Sequence, residues 1–367
     1  MGSVGQRAEA SAIDRREEMM TLRQLALSPA EVPAAVAWAL ADLGEARGKQ
    51  ELFTRQSPQR LRILREHALI ESAVSSNRIE GVTVEPDRVR PVVIGTSRLR
   101  DRDEEEVRGY RDALRLIHDR HAKLPVSAKT IRELHRLSRG KLGDAGDYRT
   151  SESEIVEVQP NGRRRLRFRA VEAGKVPTSV AELVTLWDRS LTERWVHPLV
   201  SLAASNLDFL CIHPFRDGNG RVSRLLWLLQ SYHLGYEVGR YISLERLVEE
   251  HKDRYYETLE LSSRGWHDGA HDPWAYINFV LFILKAAYKE FEERLGRTPA
   301  PRGEKTKLIT QTIQKANGRF RVADLQRECP GVSLDLIRAT LKKLRTAGRV
   351  ECLGRGQSAQ WKRTTQW

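Results

Sequence analysis

Apolar residues recur three and four apart along most of this chain, the spacing that gives a helix one buried stripe. That pattern predicts helices over Pro33 to Leu43, Pro58 to Ser75, Asp101 to His121 and Ser127 to Arg139, the third with an acidic first turn at Asp103, Glu104, Glu105 and Glu106. The texture then changes. Ile155-Val156-Glu157-Val158, an Asn161-Gly162 turn and Leu166-Arg167-Phe168 read as a short hairpin. Helices resume over Val176 to Thr192, Pro198 to Cys211, Asn219 to Leu234, Glu245 to Ser262 and Pro273 to Leu295. Gly296 to Gly303 is rich in proline and glycine and reads as a linker. Beyond it come helices at Lys305 to Lys315, Ala323 to Cys329 and, capped by Ser333, through Ala347, with extended pieces at Phe320 to Val322, Arg349 to Leu353 and Ala359 to Arg363. The expected fold is mainly α, divided into an N-terminal helical region (1–126), a core (127–295), the linker (296–303) and a C-terminal module (304–367).

Composition narrows the classes. The chain has 367 residues, 40% hydrophobic and 30% charged, an ordinary globular balance and enough length for roughly two or three domains. No stretch reaches the roughly 18 apolar residues of a membrane span, and the first twenty residues, polar and aperiodic, lack the apolar block of a secretory signal. Three cysteines, Cys211, Cys329 and Cys352, are too scattered for a disulfide framework or a zinc cage. The expectation is a cytoplasmic protein with reduced thiols and no membrane contact. The net charge is +13, and residues 302–363 hold fifteen Lys/Arg against five Asp/Glu, so most of the excess sits in the C-terminal module. An acidic partner for that module is implied.

The chemistry concentrates in His213-Pro214-Phe215-Arg216-Asp217-Gly218-Asn219-Gly220-Arg221-Val222-Ser223-Arg224. An apolar helix delivers a histidine where Pro214 turns the chain. Gly218, Asn219 and Gly220 can adopt backbone conformations that aim N–H groups inward as an anion nest, and a helix N-terminus follows at once. Arg221 and Arg224, three apart, are placed to meet successive phosphates. Asp217 is the one carboxylate of the loop and is expected to hold Mg²⁺, with His213 as a base beside the cradle. These parts describe phosphoryl or nucleotidyl transfer. The chain contains no Walker-type phosphate loop.

This string resembles the signature of the Fic family at every fixed position: His-Pro-Phe, an acid, Gly-Asn, then two arginines three apart. The resemblance covers a mostly helical core from about Ser127 to Leu295. It implies transfer of AMP from ATP to a Ser, Thr or Tyr hydroxyl of a target protein. By motif position, His213 would deprotonate the hydroxyl, Asp217 would bind Mg²⁺, and Asn219 with the Gly218 to Gly220 backbone would hold the α- and β-phosphates. Arg221 would contact the phosphates, Arg224 the γ-phosphate, and Phe215 would anchor the loop. The hairpin containing Ile155 sits where the family carries a flap that aligns the target by strand addition. Tyr255 and Tyr256 match a tyrosine pair near the base, although core aromatics on a helix fit equally well. His251 stands where relatives often have asparagine near the nucleotide. The proline-rich stretch that often follows the flap is replaced by Arg169 to Val176.

Ser76-Asn77-Arg78-Ile79-Glu80-Gly81 resembles the family's inhibitory motif, and the resemblance implies that Glu80 pairs with Arg224 and misplaces the α-phosphate for attack. The C-terminal order of helices and strands resembles a winged helix-turn-helix with Arg338, Lys342, Lys343 and Arg345 on its third helix and Arg355 in its wing. DNA and a second copy of the chain remain open as partners, and a nucleotide-sensing DNA-binding regulator is the main alternative to the enzyme. Removal of AMP, or transfer of another nucleotide, is the third. His267-Asp268-Gly269-Ala270-His271-Asp272 reads as a surface turn, and Cys211 as a small core residue.

Overall fold

The computed structural model describes residues 20–27, 31–54, 58–95, 97–140, 143–158, 164–297, 304–316, 318–329, 332–354 and 359–364. It forms two compact units, Met1–Glu292 and Glu293–Trp367. The polar first nineteen residues, the Asn161-Gly162 turn, residues 298–303 of the linker and Arg355 lie outside the described residues.

The first unit is helical apart from one hairpin. Its helices are α1 (Thr21–Leu27), α2 (Ala34–Thr54), α3 (Pro58–Ile79), α4 (Pro86–Val93), α5 (Arg102–Arg120) and α6 (Ala128–Arg139). The hairpin β1 (Glu154–Val158) and β2 (Arg164–Arg169) follows, antiparallel, with an irregularity between Ile155 and Val156. Then come α7 (Val176–Thr192), α8 (Pro198–Ile212), α9 (Asn219–His233), α10 (Leu244–Glu250), α11 (Lys252–Ser263) and α12 (Trp274–Arg297). Ser127 caps α6 and Asp101 caps α5, each accepting from a backbone N–H three residues on.

The core is organised by α8. Leu199, Leu202, Leu207, Phe209 and Ile212 are fully buried on it, so it is apolar on every side and must be enclosed by α1, α7 and α9. Two of its polar side chains, Asn206 and Asp208, are satisfied inside. Asn206 donates to the Ser223 carbonyl at 2.8 Å and accepts from the Tyr276 hydroxyl at 2.7 Å. Asp208 accepts from the N–H groups of Thr21 (2.7 Å) and Leu22 (3.0 Å) and from Trp266 Nε1 (2.8 Å). That carboxylate, far away in sequence, caps α1.

Three sequence expectations are corrected. The single helix over Glu245 to Ser262 is two helices, with His251 between them outside helical geometry (φ −115°, ψ 32°). Helices α1 and α4 were not expected; α4 contains Pro91, and its last carbonyls are met by Arg108 (to Val92 at 2.8 Å) and Arg111 (to Val93 at 3.0 Å). His271 is not on a surface turn: it is buried, and its Nε2 lies 2.8 Å from the Thr21 hydroxyl.

The second unit contains α13 (Glu304–Lys315), β3 (Arg319–Arg321), α14 (Val322–Glu328), α15 (Leu334–Thr346), β4 (Val350–Leu353) and β5 (Gln360–Arg363). Its antiparallel sheet has the order β3-β5-β4. Ile309, Ile313, Phe320, Ile337 and Leu341 build a core of its own. Ile337, Leu341 and Leu344 face that core, whereas Arg338, Lys342, Lys343 and Arg345 are exposed.

Candidate active site

Helix α8 ends in a histidine because its last turn runs into proline. His213 takes a left-handed conformation (φ 51°, ψ 59°), and its N–H still closes the helix on the Phe209 carbonyl at 3.0 Å. Left-handed geometry is costly for a residue with a Cβ, so neighbours must hold it. Arg149 does so: its Nε donates to the His213 carbonyl at 2.8 Å and its N–H to the Pro214 carbonyl at 3.0 Å. Phe215 is fully buried and stacks on the His135 ring, centroids 3.8 Å apart. The Gly146 N–H donates to His135 Nδ1 at 2.9 Å, so the proton is assigned to Nε2, which donates to the Asp217 carbonyl at 3.1 Å. Gly218 (φ 83°) then makes the left-handed turn into α9.

The loop is tied by Asn219 rather than opened by it. The Asn219 amide accepts from the Phe215 N–H at 2.9 Å and donates to the Phe215 carbonyl at 2.7 Å, and the residue is 2% exposed. The amide oxygen and one of its N–H groups are committed to the backbone of the turn.

The two arginines of α9 also diverge. Arg221 is drawn inward to Glu106 Oε2 (2.5 Å) and Asn77 Oδ1 (3.2 Å), both buried. Arg224 faces the C-terminal end of α3. Its Nε donates to the Ser76 hydroxyl at 2.9 Å, and its Nη2 to the Ser76 carbonyl at 2.9 Å and to Glu80 Oε1 at 2.8 Å. The Ser76 carbonyl belongs to the last turn of a helix, and Arg224 supplies its side-chain donor. Gly81 (φ 85°) ends α3: its N–H bonds the Arg78 carbonyl and the Val82 N–H bonds the Asn77 carbonyl, a glycine cap that fixes where Glu80 emerges. Burial opposes the charge on Arg224, and Glu80 more than offsets this, raising its pKa. Arg224 Nη1 is buried with no hydrogen-bond partner among the described residues.

A cavity of about 290 Å³ opens beside these groups. Its walls bring together Glu80, His213, Gly220, Ile155 and Phe168 of the hairpin, and Tyr255 and Tyr256 of α11. Gly220 leaves room for the carboxylate, since a Cβ there would sit 2.2 Å from Glu80 Oε1. His213 Nδ1 lies 3.3 Å from the Leu210 carbonyl, which assigns the proton to Nδ1 and leaves Nε2 as acceptor. Burial, reinforced by Arg149, holds the His213 pKa down to about 4, so the ring is neutral near pH 7. His251 does not line the cavity; it packs edge-on against Phe282, centroids 5.0 Å apart.

Asp217 lies on another side of the loop, half exposed. Its Oδ1 accepts from the Gly218 N–H at 2.6 Å, and its Oδ2 accepts from Arg139 (2.6 Å) and Arg102 (3.4 Å). Burial alone would raise its pKa, but the Arg139 and Arg221 charges reverse that and hold it below the usual carboxylate value. Among the described residues no three His, Cys, Asp or Glu side chains cluster around a metal position. A single carboxylate suits Mg²⁺, whose other ligands are normally phosphate oxygens and water.

Glu106, Arg139, His135 and Arg149 build the site without having been singled out in the sequence. Glu106 had a signal: it continues the buried stripe of Tyr110, Ala113 and Ile117 on α5, at a spacing of four, seven and eleven residues.

A neutral histidine at a helix end, a self-tied glycine turn and a buried guanidinium paired with Glu80 thus meet beside one cavity of a helical protein. A model of the Fic/DOC family matches residues 125–230. The protein adenylyltransferase Fic of Drosophila yakuba is 26% identical over 208 residues, 54% of this chain and 35% of that protein. The Drosophila persimilis protein of the same name is 28% identical over 153 residues, 39% of this chain and 25% of that one. The chain thus spans about a third of the length of the curated relatives it matches. A crystal structure of a Fic family protein from Desulfovibrio desulfuricans G20 shares the fold with TM-score 0.60 at 22% identity, covering 92% of this chain and 98% of that one. A Fic domain containing signaling protein from Bacteroides thetaiotaomicron VPI-5482 gives TM-score 0.57 at 18% identity, over 70% and 98% of the two chains. The similarity to the Fic/DOC family thus centres on residues 125–230, and the chain shares the fold of the solved Fic structures. No helix among the described residues is long and apolar enough to cross a membrane.

Proposed function

We propose that this protein transfers AMP from Mg²⁺-ATP to a hydroxyl side chain of a target protein, and that Glu80 holds the activity down. The observation that carries the reading is the Arg224–Glu80 ion pair at 2.8 Å, whose Glu80 partner shares the cavity wall with His213 and Gly220, with a second Arg224 donor left unpaired among the described residues. The target oxygen attacks the α-phosphorus, the bond to the β-phosphate oxygen breaks, and pyrophosphate leaves. The hydroxyl proton passes to His213 Nε2, which is neutral and available. Asp217 would hold the metal, whose positive charge offsets that of the phosphates. Arg224 would orient the terminal phosphate once Glu80 leaves it, and the backbone of Gly218 to Gly220 would supply N–H donors. The hairpin around Ile155 would align the target segment, and Tyr255 with Tyr256 would flank the base.

The test uses ATP labelled at the α-phosphate, Mg²⁺, and three proteins: unaltered, Glu80→Gly, and Glu80→Gly with His213→Ala. Label on protein is expected with Glu80→Gly, at least tenfold above the unaltered chain if the pair is worth about 1.5 kcal/mol or more. The added His213→Ala should abolish it. Equal labelling by the unaltered and Glu80→Gly proteins would remove the inhibitory role. Release of AMP from a labelled target, rather than transfer, would point to the reverse chemistry.

A second reading is favoured by the exposed Arg338, Lys342, Lys343 and Arg345 of α15, a basic helix on a unit whose element order resembles a winged helix. It makes the C-terminal unit a duplex-DNA contact and the Fic domain its nucleotide sensor. If no sample carries label, ATP-dependent retention of duplex DNA by the full chain decides for this reading.

A further inference from the structure

The loop carboxylate that would hold a metal is already held by arginine. Asp217 Oδ2 sits 2.6 Å from Arg139 Nη1 and 3.4 Å from Arg102 Nη2, with Arg221 Nη2 3.8 Å from Oδ1. Arg139 is not a loose surface partner. It is nearly buried at the end of α6, and the same Nη1 reaches Glu106 Oε1 at 3.0 Å while Nη2 faces Asp144 at 3.3 Å. Glu106 is itself buried and committed to Arg102 and Arg221. The guanidinium is therefore pinned from behind, whereas the Asp217 side chain is 48% exposed. Asp217 is the more exposed partner, its Oδ1 tied to the Gly218 N–H and its Oδ2 to the two arginines.

We infer that Arg139 is the resident counter-ion of Asp217, that a divalent cation entering with the nucleotide must displace it, and that this exchange sets how strongly nucleotide binding depends on metal. The inference rests on the reading of the cavity as a nucleotide site. Its physical basis is charge balance. Arg102, Arg139 and Arg221 stand against Glu106, Asp144 and Asp217, so the cluster is neutral as folded. A cation alone adds uncompensated positive charge beside three guanidiniums, which disfavours it. A cation arriving with polyphosphate does not carry that penalty. Arg139 thus weakens metal at Asp217 unless phosphate accompanies it, and is a positioning residue rather than one that touches the reacting atoms.

The experiment is calorimetric titration of ATP into the full-length Glu80→Gly protein, with Mg²⁺ and with EDTA, read as the ratio of the two Kd values. Arg139→Gln should raise that ratio in favour of metal about tenfold, the size of one charge-assisted hydrogen bond released from Asp217. Arg102→Gln, at an exposed position with the longer contact, should raise it about twofold and guards against failure of the first variant to fold. Asp217→Asn should bring the ratio near one, and adding Arg139→Gln to it should change nothing further. An unchanged ratio in both single arginine variants overturns the inference. So does an equal rise when Asp217 is already Asn, because the effect would then be general loss of positive charge. ATP that binds none of these proteins refutes the nucleotide reading itself and the inference with it.

Discussion

Among the described residues no carboxylate is hydrogen-bonded to the His213 ring; a backbone carbonyl holds Nδ1, and burial keeps the pKa near 4. A base that is already neutral at pH 5 loses activity only when the medium protonates it. The acid limb of kcat/KM for the Glu80→Gly enzyme is therefore expected near pH 4, about two units below that of an unperturbed histidine. A limb at 6 to 7 would show that the ring is solvated in the working enzyme. At this scale the motif was legible because its residue types are rare in combination and close in sequence. What each side chain grips was not. Asn219 and Arg221 carry the right chemistry for phosphate, but Phe215 backbone groups and the buried Glu106 claim them first. Four carboxylates in a row, Asp103 to Glu106, look alike as a string; burial distinguishes them only after α5 packs.

At the scale of elements, long amphipathic helices were legible and short ones were not. The helix α7 matches its expected ends, Val176 and Thr192. In contrast α1 spans seven residues, less than two full turns, and isolated helices of that length do not persist in water. It forms because Asp208, buried on α8, accepts from its first two N–H groups. Asp208→Ala is expected to cost about 2 kcal/mol or more and to speed amide exchange at Thr21 and Leu22 ahead of global unfolding. Protection equal to that of the parent would mean that packing alone holds α1. The break between α10 and α11 was hidden for a different reason: the sequence there has neither glycine nor proline, and His251 leaves helical geometry while its ring packs on Phe282.

Across the whole molecule, several histidines are buried in neutral form. Burial holds His118 near 3, and His135, His213 and His271 near 4, against an ordinary value of about 6.5. In the unfolded chain each takes up a proton below about pH 6.5, while the folded state resists until pH 3 to 4. The unfolded state then binds more protons, so stability is full above pH 6.5 and falls as the pH drops toward 4. A denaturant midpoint that declines steadily from pH 7 to 5 is expected for the first unit; a flat midpoint would mean these rings reach water before the unit opens. The two-unit division was partly legible, because Gly296 to Gly303 marks the change of composition and the second unit has its own core. That the N-terminal helices belong to the same compact unit as the Fic-like residues 125–230 was not, since α3 and α5 reach the site through Ser76, Glu80 and Glu106, a juxtaposition that only packing reveals.

Glu80 emerges from a helix end that Arg224 itself grips through Ser76, so on the proposed reading it competes with ATP as a tethered ligand. Its local concentration is on the order of millimolar or above, set by a tether of a few bonds. On that reading, nucleotide must compete with a rival that cannot diffuse away. Turnover on that reading waits for the last turn of α3 to loosen, and the residual rate of the unaltered protein would serve as a clock for how often that turn lets go.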